Sequence, residues 1–116
     1  MLSEEEAAAG MGKKNRLLTA KNDEYVVLSE TFAEAKKQYH IAYAKKVLEL
    51  KEAGNPITII KEIVNGDRTV AGLRYAMDVA EGIMRACKES MADARSAIDS
   101  YRSILAWRKA EMLRTE

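Results

Sequence analysis

At 116 residues, 47% of them hydrophobic and 32% charged, the chain has the size of one folded domain and is too apolar to remain a disordered polymer. A net charge of +1, from 19 basic and 18 acidic residues, excludes a global field that would draw it onto nucleic acid or an anionic membrane. The lone Cys87 excludes an internal disulfide, no apolar run approaches the roughly 20 residues of a membrane span, and nothing at the start resembles a secretory leader, so a cytoplasmic home is expected.

Met1 to Ala20 read as a mobile arm, because Gly10 and Gly12 interrupt the helix that Ser3 and the following acids and alanines would start. The remainder, 21–116, reads as a single helical domain. A first helix is expected over about 22–53, capped by Asn22 or Asp23, with Tyr25, Leu28, Phe32, Ala35, Tyr39 and Ala42 at alternating spacings of three and four. Tyr43, Val47 and Leu50 continue this stripe after a one-residue drift, and Gly54 supplies a left-handed cap. Asn55 and Pro56 then start a short helix over about 56–65, with Asn55 as its cap. Ile57, Ile59, Ile60, Ile63 and Val64 make it apolar on most sides, as a plug across the end of the helical pair, and Gly66 ends it.

Asp67 caps a long second helix over about 68–113. Its seam alternates spacings of three and four through Val70, Leu73, Met77, Ala80, Met84, Cys87, Met91, Ala94, Ile98, Tyr101, Leu105, Arg108 and Met112, all apolar but Arg108. A seven-residue repeat held this long implies a left-handed supercoiled seam. The fold class is therefore all-α, a long helical hairpin or coiled coil with a short connecting helix. The second helix would outrun the first by roughly 20 to 25 Å at the standard rise. Ile83, Ala86, Ala97, Ile104 and Trp107 also widen its apolar surface beyond what one partner helix buries. Both features predict self-association into a multi-helix bundle, with a two-fold dimer as the simplest form. Gly82 leaves open whether the helix kinks or lets a neighbour approach closely.

No residue set has the form of a catalytic, cofactor-binding or metal site. His40 stands alone without a second ligand at metal spacing, and Cys87 occupies the seam as a small hydrophobe. The methionines at 77, 84, 91 and 112 are first of all core filling, although thioethers also suit an adaptable groove. Tyr25, Tyr39, Tyr43, Tyr75 and Tyr101 read as packing residues with hydroxyls at the rim. Lys88, Arg95, Arg102 and Lys109 recur every seven residues, with Arg85 nearby, and form the candidate face for phosphate or an acidic partner. Glu81, Glu89, Asp93 and Asp99 lie among them, so solvated pairing along the helix accounts for much of that row.

The stretch Ala44 to Gly54, then Ile57-Thr58-Ile59-Ile60-Lys61 and Gly66-Asp67-Arg68-Thr69-Val70-Ala71-Gly72-Leu73-Arg74, resembles small helical proteins of phages and prophages of Gram-positive bacteria. The resemblance covers about residues 40–110 and transfers no functional residue. It implies a phage early-region setting, where such proteins assist DNA replication or recombination or blunt host defence nucleases.

The resulting expectation is a non-enzymatic interaction protein, a phage accessory factor that binds itself and an unidentified protein partner. The alternative is an inhibitor of a host defence nuclease of the anti-CRISPR kind. A non-specific nucleic-acid binder, using the Lys88 row and the basic residues of the arm, is the third reading and stands behind the other two.

Overall fold

A computed structural model describes residues 2–115. Three helices follow one another: α1 (Glu4–Glu52), α2 (Ile57–Gly66) and α3 (Arg68–Thr115). The fold is all-α, a long helical hairpin with a short connecting helix, and no described residue lies in a strand. By contact the chain divides into two compact units, Met1–Val26 with Ala86–Glu116, and Val27–Arg85.

The N-terminal segment corrects the sequence reading. Residues 4–20 are not an arm but the opening five turns of α1, and Asn22 and Asp23 are exposed residues inside that helix rather than its cap. Ser3 is the cap. Its Oγ accepts the Glu6 amide at 3.1 Å and its carbonyl accepts the Ala7 amide at 2.9 Å, while Glu4, Glu5 and Glu6 sit at the positive end of the helix dipole. Gly10 and Gly12 each cost the helix about 1 kcal/mol relative to alanine. Packing outweighs that cost, because helices in proteins draw most of their stability from a buried face. Among the buried or half-buried positions of α1, those at 7, 11, 14, 18, 21, 25, 28, 32, 35, 39, 42 and 46 alternate fours and threes, with 10, 12, 29, 43, 47 and 50 beside or beyond them. The stripe visible from Tyr25 onward thus begins at Ala7, and its apolar signal is obscured by Lys14 and Lys21 standing at two of its positions.

In the unit formed by residues 27–85, the core consists of Ile60, Val64 and Val70, with Tyr39, Ala42, Tyr43, Val47 and Leu50 packed against them. Gly54 takes φ 87°, the left-handed conformation that lets α1 stop. Asn55 does not cap α2 as expected. Its Nδ2 donates to the Leu50 carbonyl at 3.0 Å, closing the end of α1, and Pro56 is the residue flanking α2. Gly66 is the last residue of α2 and keeps a negative φ, so Asp67 in extended conformation, with no left-handed turn, separates α2 from α3. Asp67 caps α3 as expected, its Oδ2 accepting the Val70 amide at 3.1 Å. α2 inserts only Ile60 and Val64, and Ile57, Ile59 and Ile63 stay exposed.

In the other unit, residues 2–26 run antiparallel to 86–115. The Arg108 guanidinium donates to the Leu2 carbonyl at 2.5 Å, the Tyr101 ring lies over Gly10, and the Cys87 thiol donates to the Lys21 carbonyl at 3.4 Å. Ala7, Cys87, Met91, Ala94 and Ile98 are its buried apolar residues.

Candidate interaction surface

The α3 seam lies where the seven-residue repeat puts it, and α1 covers it. Val70, Cys87, Met91, Ala94 and Ile98 are buried, and Leu73, Met77, Ala80, Met84, Tyr101, Leu105 and Arg108 are half-buried. Met112 is the exception at 52% exposed, one turn beyond Arg108, whose partner Leu2 precedes the first turn of α1. With α1 at 49 residues and α3 at 48, the length mismatch that predicted an uncovered seam is absent. The seam is therefore an internal packing surface, and its period carries no evidence for a second copy.

The flanks of the seam are what remain available. In heptad letters, Met84, Met91 and Ile98 occupy a, and Cys87, Ala94 and Tyr101 occupy d; residues at e and g then line opposite sides of the contact, and in an antiparallel pair e meets e and g meets g. In the unit that contains both termini, the e positions of α3 are Lys88, Arg95, Arg102 and Lys109, all exposed. The facing e positions of α1 are Ala8, Asn15 and Asn22, none of which can neutralise a cation. Among the described residues the only ion pair of this row joins Arg102 to Asp99 at 3.4 Å, with both side chains about 70% exposed, a geometry that contributes little. Arg85, the fifth residue of the expected face, is tied to Glu81 at 2.6 Å in the neighbouring unit.

The g side of the same unit is less charged. It carries Leu17 on α1 with Ala97 and Ile104 on α3, and Trp107, one turn beyond Ile104, at 52% exposed. Lys21 borders this side, and the Glu24 carboxylate, 3.0 Å away, holds its ammonium above the ordinary lysine value. In the unit of residues 27–85, α3 exposes Tyr75, Val79 and Ile83 on its outer surface. That unit also has an open groove of about 440 Å³ lined by Tyr39, His40, Tyr43, Lys61, Arg74 and Asp78, among others. His40 there is an exposed ring tilted against Tyr39, with centroids 5.3 Å apart.

Gly82 neither breaks α3 nor admits a neighbour, since the helix is continuous and nothing lies within 4 Å of where its Cβ would stand. Among the described residues no three of His, Cys, Asp and Glu converge as metal ligands, and no helix is long and apolar enough to cross a membrane. The flanking rows escape a search for apolar periodicity because they are defined by what the partner helix lacks. Once the α1 seam is traced back to Ala7, the e positions of both helices can be read directly. Comparison of the chain with protein-family models, curated proteins and solved structures finds no match.

Proposed function

We propose that this protein is a non-enzymatic helical interaction factor, of the phage accessory type, that self-associates through the apolar flank of α3. The carrying observation is Trp107, half exposed on the g side of a hairpin whose seam is already filled. A large aromatic ring left in water one turn from Ile104 is the kind of anchor on which an interface concentrates its energy. The two long helices match in length, so self-association rests on this exposed flank alone.

Absolute mass by light scattering behind a sizing column tests the reading. The expected result is a dimer that becomes a monomer on Trp107→Glu with Ile104→Glu, while far-ultraviolet circular dichroism stays unchanged. A monomer at every concentration tested would remove self-association.

A further inference from the structure

We infer that the basic flank of α3 docks a partner helix that carries a carboxylate at every seventh residue. This deepens the interaction reading above by naming the chemistry of the partner, and it uses the flank opposite to the one proposed for self-association.

The row Lys88, Arg95, Arg102 and Lys109 keeps a spacing of about 10.5 Å between charges and extends over roughly 31 Å at the helical rise. A second helix laid alongside presents its own seventh residues at the same interval, so all four contacts form together, as e and g charges do when they select partners in coiled coils. A nucleic-acid duplex fits this row poorly. Its phosphate strands wind around an axis with a turn of about 34 Å, so a straight row meets each strand only where it crosses. The surface between the charges also carries small residues. Ala92 and Ala106 on α3 and Ala8 and Gly12 on α1 stand on this side, and nothing but the Arg16 side chain approaches a Cβ built at Gly12. Lysine and arginine stems can lie over such small residues while their heads reach a partner's carboxylates. Asp99 is paired with Arg102, and although Glu89 and Asp23 stand next to the e positions and Glu5 at the far end of α1, Lys88, Arg95 and Lys109 have no ion pair among the described residues. No stretch of the chain itself carries carboxylates at four successive seventh positions, so the occupant is a different chain rather than a second copy.

The test measures binding of three labelled probes to the full chain by fluorescence anisotropy. These are a four-heptad synthetic helix with Glu once per heptad, the same helix with Gln at those positions, and a DNA duplex of equal length. The Glu helix is expected to bind at least roughly tenfold tighter than either of the others, as charge complementarity along an interface requires. A chain with Lys88→Glu, Arg95→Glu, Arg102→Glu and Lys109→Glu should lose that preference, keep its circular dichroism, and gain preference for a Lys-bearing version of the helix. Equal affinity for the Glu and Gln helices, absence of binding, or tighter binding of the duplex would overturn the inference. The mass in solution separates the two proposals: a monomer that still discriminates the Glu helix defeats self-association alone, and a dimer that does not discriminate defeats this inference alone.

Discussion

Gly10 and Tyr101 form a matched pair. A Cβ at residue 10 would lie 2.5 Å from the Tyr101 ring, closer than any side chain tolerates, so the glycine admits the ring. Gly10→Ala therefore brings two opposing effects, a gain of about 1 kcal/mol in helix propensity and an overpacking cost of about 1 to 3 kcal/mol. Thermal melts should show Gly10→Ala destabilising in the native background and stabilising in a Tyr101→Ala background. The same sign in both would mean that the ring swings aside freely. At Asp67, the Val70 amide and then the Lys46 ammonium, 3.6 Å away, hold the carboxyl below the ordinary carboxylate value. A group whose folded pKa is depressed stabilises the fold above its unfolded pKa and loses that contribution as pH falls through the folded value. The melting temperature should therefore drop on acidification below the ordinary aspartate range, and Asp67→Ala should flatten that part of the profile.

At the scale of the helix, α3 was readable almost residue by residue, since its seam positions are apolar and its cap is a lone aspartate after glycine. α1 was readable only from Tyr25. Upstream, Lys14 and Lys21 occupy inward positions and Gly10 and Gly12 lower the propensity, so local signals contradict a packing arrangement that depends on a partner about ninety residues away. The period of the stripe, continued backwards through Leu18, Met11 and Ala7, was the surviving clue. The basic row was legible as a row, but its freedom from neutralising partners depended on the pairing of α1 with α3. Lys14→Leu should raise stability by about 1 kcal/mol or more in urea unfolding, because an inward position gains apolar burial. Gly82→Ala, in open space on a continuous helix, should raise it by about 1 kcal/mol through propensity alone, and a loss would point to a neighbour pressed against that face.

For the whole molecule, the first twenty residues complete the core instead of trailing from it. Removing them should uncover Met91, Ala94 and Ile98, and Cys87 beside them should then react with an aromatic disulfide reagent much faster than in the full chain, where the thiol is buried. Unchanged labelling would mean that α3 finds equivalent cover elsewhere.

The bond from Arg108 to Leu2 joins residues 106 positions apart, while the turns around α2 join neighbours. The order of synthesis is therefore opposed to the order of closure. The beginning of α1 is made about a hundred residues before the part of α3 that covers it. Until that part emerges Ala7, Met11 and Leu18 wait in water, and the pair fastens from the α2 end outward. Loop entropy favours the same direction, since each long-range contact becomes cheap only after the shorter ones beside it have formed.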